Sequence, residues 1–213
     1  MDAELFPRPR TTIAPGAVHV PDWLDADRQR ELLTACREWA RPPAGLRTVR
    51  TPGGGTMTAR QVCLGWHWYP YGYARTVVDG DGAPVKPLPD WLGELARRAV
   101  RDALGTGTPP YDIALINFYD ADARMGMHRD SDEESDAPVV SLSLGDTCVF
   151  RFGNTETRAR PYTDVELRSG DLFVFGGASR LAYHGVPRVH PGTGPPELGL
   201  AGRLNVTLRV SGR

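Results

Sequence analysis

The spacing of hydrophobic positions changes near residue 110. Before that point the clearest pattern is helical: Leu24, Leu32, Ala35, Cys36 and Trp39 recur at helical intervals through residues 25–40, and Pro42-Pro43 end the run. A second helix is predicted to start at an Asp90 cap, to carry Trp91, Leu95, Ala99, Ala103 and Leu104 along its buried stripe, and to stop at Gly105. Residues 1–20 are proline-rich and weakly patterned. From Tyr111 onward the period is two, with short runs at 111–119, 137–144, 147–152, 164–168, 171–176, 182–187 and 203–210. Strands in that number with no helix between them predict an antiparallel sandwich or jelly roll, not a βαβ sheet. The Gly/Pro-rich stretch 191–202 reads as a loop before the last strand, and no internal repeat is visible.

A chain of 213 residues suits one domain with one core. Composition adds exclusions: 40% hydrophobic and 24% charged residues are ordinary globular usage, which excludes a disordered or collagen-like chain. No apolar run approaches the ~18–20 residues of a membrane span. The acidic start Met1-Asp2-Ala3-Glu4 lacks the basic-then-apolar order of a secretory signal. Cys36, Cys63 and Cys148 are widely spaced and form no CxxC pair, so they read as reduced thiols of a cytoplasmic protein. A net charge of −1 argues against a histone-like binder, yet the charges are unevenly placed. Between Glu38 and Asp79 there is no carboxylate, while Arg41, Arg47, Arg50, Arg60 and Arg75 fall in the interval, interleaved with Trp39, Trp66, Trp68, Tyr69, Tyr71 and Tyr73. Such a segment suits phosphate attraction together with base stacking. Residues 130–136 form the opposite, a local acidic cluster.

Candidate chemistry begins at His128-x-Asp130. In extended chain, residues two apart project to the same side, so an imidazole and a carboxylate can converge. His184, on a later strand, supplies a third donor, and two histidines with one carboxylate are the facial set that holds non-haem Fe(II) with open positions. An HxD pair taken alone also fits ordinary satisfied polar groups. The last strand adds weight: Arg203, Asn205, Thr207 and Arg209 alternate with Leu204, Val206, Leu208 and Val210. A polar face of that kind can meet water, but two guanidinium groups six residues apart are also spaced to grip the ends of a five-carbon dicarboxylate. Asn117 and Tyr119, two apart in the otherwise apolar run from Ile113, point to a polar cavity.

Together, Asn117-Phe118-Tyr119, His128-x-Asp130, Asp132-Glu133, Ser141 to Gly145, Phe173 to Gly185 and Arg203-x-Asn205-x-Thr207-x-Arg209 resemble the AlkB-type Fe(II)- and 2-oxoglutarate-dependent dioxygenases. The resemblance covers residues from about 45 to 210. It implies a mainly β chain with supporting helices (α+β), a double-stranded β-helix (jelly roll) core at 111–213, and N-terminal helices with a nucleotide-recognition lid at 1–110. It implies Fe(II) on His128, Asp130 and His184, and 2-oxoglutarate and O2 as cosubstrates. The keto acid end of 2-oxoglutarate would lie near Asn117 and Arg209, and the distal carboxylate near Tyr119, Arg203 and Asn205, with the arginines interchangeable at this stage. The implied substrate is an N-alkylated base of the 1-methyladenine or 3-methylcytosine type in DNA, or in RNA, demethylated by a monomer with release of formaldehyde, succinate and CO2. Substrate contacts would come from Trp66 as the stacking ring and from Tyr73, Asp132, Met57, Thr51 and Arg158. An enzyme acting on a base atom must first take that base out of the stack. Trp39 and Trp68 are expected to pack beneath loops, His190 to be a surface residue, and His67 to be a surface residue as well, with a nucleic-acid contact as its alternative. Phe175 stands where some members carry Trp, and Lys86 is the single lysine, so arginines must supply most phosphate contacts. Two other readings stay open: a protein or small-molecule hydroxylase with the same iron site, and a jelly-roll binding module without catalysis.

Overall fold

The computed structural model describes residues 6–51 and 53–213; the acidic start and Pro52 of the glycine-rich turn lie outside the described residues. The strands are β1 (Thr11–Ala14), β2 (Ala17–Val20), β3 (Arg47–Arg50), β4 (Thr56–Leu64), β5 (His67–Tyr69), β6 (Gly72–Ala74), β7 (Ile113–Tyr119), β8 (Met125–His128), β9 (Val139–Gly145), β10 (Cys148–Phe152), β11 (Thr163–Leu167), β12 (Leu172–Phe175), β13 (His184–Val189) and β14 (Arg203–Arg209). The helices are α1 (Ala26–Trp39) and α2 (Asp90–Leu104). An eight-stranded sheet runs β1-β2-β12-β9-β14-β7-β4-β3, a four-stranded sheet runs β11-β10-β13-β8, and β5-β6 form a separate hairpin. This is the jelly roll that the alternating second half predicts.

One parity rule organises the large sheet. Even-numbered side chains of β7, β9, β12 and β14, among them Ile116, Leu142, Val174 and Val206, pack with Leu32, Leu33, Leu92, Ala96 and Val100 of the helices. Odd-numbered ones turn towards the small sheet, where Phe173 and Phe175 meet Phe150 and Phe152 at ring-centroid distances of 4.9–5.5 Å. Burying each such aromatic or leucine side chain stabilises the fold by roughly 1.5–3 kcal/mol. The apolar face of β14 therefore serves the helices, and its polar face looks into the roll. Water is not what that face meets.

Three expectations need correction. Asp25 caps α1 by accepting from the Arg28 amide, but α2 is capped at Pro89 without a side-chain bond, and Asp90 is its first residue. The buried stripe of α2 is Leu92, Ala96, Ala99, Val100 and Ala103; Trp91 is 47% exposed and stacks on Trp39 instead. Ala99 and Ala103 belong to the expected stripe as well; the core that receives the helix takes Leu92, Ala96 and Val100 with them in place of Trp91, Leu95 and Leu104. Strands from the first half are also part of the large sheet: β2 pairs with β12 and β4 with β7. Their short, mixed patterns carry little period-two signal, and burial comes from sheet neighbours supplied by the other half of the chain.

Candidate active site

His128 ends β8 and His184 opens β13, directly opposite in register, with ring centroids 4.5 Å apart. That approach requires glycine next door: a Cβ on Gly185 would stand 2.7 Å from the Met125 carbonyl oxygen. The His128, Asp130 and His184 ligand atoms all lie within 4.8 Å of one another, and the Nε2 atoms of both histidines are 3.7 Å from Asp130 carboxylate oxygens. Each imidazole gives its Nδ1 side to a backbone carbonyl two residues earlier, Gly126 and Ala182 respectively, at 3.0 Å. That bond fixes Nδ1–H as the tautomer and leaves the Nε2 lone pair for a metal. Burial, then His128, holds the His184 imidazole down at about 4. Burial alone would raise the Asp130 carboxyl, but Arg209 above all holds it at about 2. Asp130 Oδ2 is buried without a hydrogen-bond partner. Two imidazoles that both give Nδ1 to a carbonyl and turn Nε2 towards an ionised carboxylate with one idle oxygen fit a divalent ion with open positions.

Behind the triad lies a narrow inner cavity of about 40 Å³ lined by Asn117, Tyr119, Phe175, Arg203, Asn205 and Arg209 along with the triad. Residues of the central strands β7 and β14 face each other here, Arg203 opposite Tyr119 and Asn205 opposite Asn117. The two arginines are in different electrostatic states. Arg209 Nη2 lies 2.5 Å from Asp130 Oδ1 and Nη1 lies 2.9 Å from Glu133 Oε1. Arg203 is 1% exposed and donates Nη2 to Ser143 Oγ at 3.0 Å. Its Nε and Nη1 are buried with no hydrogen-bond partner. Asn117 accepts from Gln61, and Asn205 donates to Ser141 Oγ at 2.7 Å while accepting from Thr207.

The inner cavity opens outward at His128, Asp130 and Arg209 into a vestibule of about 720 Å³. Of the residues expected to contact substrate, Thr51, Met57, Asp132 and Arg158 line it; Trp66 and Tyr73 do not. Trp66 turns away: Gly65, whose backbone is left-handed (φ 77°) and whose Cβ would collide with the Asp112 carbonyl, redirects the chain. The Trp66 ring then lies under the Arg75 guanidinium at 3.4 Å and donates Nε1 to Asp112 at 3.2 Å. Trp68, expected to pack beneath loops, lines the vestibule and donates Nε1 to Asp132 Oδ2 at 2.8 Å. Tyr73 is buried behind the wall, with its hydroxyl on Glu133.

The charge pattern also resolves differently. Arg47 is structural, bound to Asp79 at 2.8 Å and to the Trp68 carbonyl at 2.6 Å. His67 is fully buried with Nε2 on Asp79 at 2.7 Å, so it is not a surface residue. His190 is partly buried beside Thr147. Besides Arg209 at its floor, the arginines that face the vestibule are Arg124, Arg129 and Arg158, all exposed. Arg129 and Arg158 sit over the Tyr183 ring at 4.8 and 5.8 Å. None of the three has a carboxylate partner among the described residues, whereas Arg28, Arg30, Arg41, Arg97, Arg98 and Arg151 on other faces do. Arg158 is among the expected substrate contacts; Arg124 and Arg129, scattered along the sequence, carry no local signal.

The model of the 2OG-Fe(II) oxygenase superfamily matches residues 16–209. The chain is 38% identical over 202 residues to the alpha-ketoglutarate-dependent dioxygenase AlkB homolog of Caulobacter vibrioides, covering 93% of this chain and 89% of that protein. To AlkB of Escherichia coli it is 37% identical over 174 residues, 78% of each chain. It is 32% identical to the DNA N(6)-methyladenine demethylase ALKBH1D of Arabidopsis thaliana, covering 92% of this chain and spanning half of the plant protein's length. The solved structure of OsALKBH1 superposes with a TM-score of 0.83 at 33% identity, covering 93% of this chain and all of that one. The chain is a member of the 2OG-Fe(II) oxygenase superfamily, of the AlkB type.

Proposed function

We propose that this chain oxidatively demethylates N-alkylated bases in DNA, and in RNA of the same lesion type, as a monomer in the cytoplasm. The observation that carries the substrate class is the vestibule over the triad: three arginines without carboxylate partners stand around a cavity whose wall includes Trp68, held edge-on by Asp132. Phosphates satisfy the first and a flipped base suits the second. Relatives named as DNA or tRNA demethylases support the same class. Free, buried cysteines support a reducing compartment, and among the described residues no helix is long and apolar enough to cross a membrane.

His128, Asp130 and His184 would hold Fe(II), which with 2-oxoglutarate and O2 supplies the oxidising power for hydroxylating an N-methyl carbon. Arg203, backed by Tyr119 and the Asn205–Ser141 pair, would take the distal carboxylate, because a buried guanidinium with two idle donors calls for an anion. Asn117 and Arg209 would orient the keto acid end. Asp132 would accept from the base edge while fixing Trp68, and Met57 and Thr51 would bound the base pocket beside Arg158. The hydroxymethyl product releases formaldehyde and leaves the N–H base, while 2-oxoglutarate becomes succinate and CO2. The test is an anaerobic load with Fe(II) and 2-oxoglutarate, then air and single-stranded DNA or RNA carrying 1-methyladenine or 3-methylcytosine. Stoichiometric formaldehyde and succinate are expected. Succinate formation that no methylated strand stimulates would move the substrate to a protein or small molecule.

A further inference from the structure

We propose that Glu133 is a positioning residue for Arg209: it holds the guanidinium in the one orientation that leaves both the metal-facing oxygen of Asp130 and the inner cavity open. Its carboxylate is completely buried. Oε2 accepts from Arg180 Nη2 at 2.9 Å, while Oε1 accepts from Arg209 Nη1 at 2.9 Å and from the Tyr73 hydroxyl. Arg180 in turn binds the Asp130 carbonyl oxygen at 2.6 Å and the Ala137 carbonyl oxygen at 2.9 Å. Two acids and two guanidiniums therefore compensate one another behind the triad, and Glu133 is the acid that holds no metal.

The reason lies in the geometry of the guanidinium fork. A planar guanidinium beside one carboxylate favours two parallel bonds to both oxygens. Arg209 instead divides its two terminal nitrogens between two acids, Nη2 to Asp130 Oδ1 and Nη1 to Glu133. Asp130 Oδ2 and Arg209 Nε are thereby left buried and without partners. Remove the Glu133 charge, and the bidentate pairing with Asp130 becomes the better arrangement; it would cap Oδ2 and swing the guanidinium across the cavity. Groups behind a ligating side chain commonly change metal affinity ~10–100-fold.

The inference rests on Arg209 meeting 2-oxoglutarate, so the experiment separates the two. Mn(II) affinity is measured from the free-ion electron paramagnetic resonance signal, and 2-oxoglutarate affinity by calorimetry on the Mn(II)-loaded full chain, for wild type, Glu133→Gln, Glu133→Asp and Arg209→Lys. Glu133→Gln is expected to raise both dissociation constants about tenfold or more. Glu133→Asp keeps the charge but withdraws it by one methylene, and is expected to raise both about threefold to tenfold in a folded protein. A purely structural residue would lower the melting temperature and leave both constants of the folded protein unchanged. Constants within about twofold of wild type in Glu133→Asp overturn the inference, even if Glu133→Gln fails to fold. If Arg209→Lys leaves 2-oxoglutarate binding intact, the reading of Arg209 is wrong and the cosubstrate half of the inference falls with it, while the Mn(II) constants still judge the metal half.

Discussion

Replacing Arg203 with Met tests the reading of the inner cavity most directly, because it should stabilise the apoprotein while destroying cosubstrate binding. The guanidinium is 1% exposed, has no carboxylate within 4.0 Å among the described residues, and makes one bond, to Ser143. Exchanging a buried ionic group for an apolar side chain of similar volume is often stabilising, by about 1–4 kcal/mol; the lost Ser143 bond offsets about 1 kcal/mol of that. At ~2–4 °C per kcal/mol for a chain of this size, the melting temperature of the metal-free protein should rise by several degrees. A carboxylate docking on the idle Nε and Nη1 would gain two charged hydrogen bonds of about 1.5–3 kcal/mol each, so the 2-oxoglutarate dissociation constant should rise roughly 10²–10⁴-fold. Calorimetry with 2-oxoglutarate and with 2-oxobutanoate, which lacks the distal carboxylate, separates the two ends: the variant should discriminate between them far less than wild type. A fall in melting temperature of the size seen on breaking a salt bridge, or unchanged 2-oxoglutarate affinity, would refute the reasoning.

Three further outcomes are expected. Trp68→Ala should raise the Michaelis constant for a methylated oligonucleotide about fivefold to 150-fold, the equivalent of ~1–3 kcal/mol of base stacking. Trp66→Ala should leave it within about twofold and lower the melting temperature; steady-state kinetics on both variants decides, and the reverse pattern would reinstate Trp66 as the stacking ring. His128→Ala should abolish formaldehyde release with a near-normal melting temperature, since that side chain is 39% exposed; retained activity would sink the ligand assignment. Asp171, with burial opposed first by His19 and then by Arg8, is held at about 2, below its ordinary 3.8. A depressed acid stabilises the fold above its unfolded pKa and loses that contribution as pH falls from about 5 towards 2, so its share at pH 7 is on the order of 2 kcal/mol. Urea unfolding should therefore show Asp171→Asn less stable than wild type at pH 7, with the gap narrowing at pH 3.

The features legible in the sequence are those that a strand writes into adjacent positions. The alternation of 203–210 and the His128-x-Asp130 spacing each express a period of two, and both survive because β14 and the end of β8 are regular. Trp68 was illegible for a local reason: the left-handed turn at Gly65 separates Trp66 from the strand that carries Trp68, so two tryptophans of equal parity face different ways. Of the vestibule arginines only Arg158 was legible, through the family resemblance; Arg124 and Arg129 were not, for a global reason. Positions 124, 129 and 158 meet only in three dimensions, and the dense cationic run at 41–75 spends Arg41, Arg47 and Arg75 on Glu38, Asp79 and Trp66. A count of charges along a chain cannot distinguish a paired arginine from an idle one.

That distinction also orders the two arginines of β14, which spacing alone left interchangeable. Arg209 is already neutralised by Asp130 and Glu133, so at the keto acid end it would orient by hydrogen bonding, its Nε being idle, and would add little net charge attraction. Arg203 carries an uncompensated charge in the same cavity, at the end away from the triad, opposite Tyr119 and Gly145. On the proposed reading, a dianion with two different ends would meet two different receptors: a bare cation deep inside and, with the metal bound, a compensated one at the mouth. The orientation proposed for the cosubstrate would then follow from where the protein has placed its acids, not from the arginines themselves, and moving Glu133 should disturb it while leaving every cation in place.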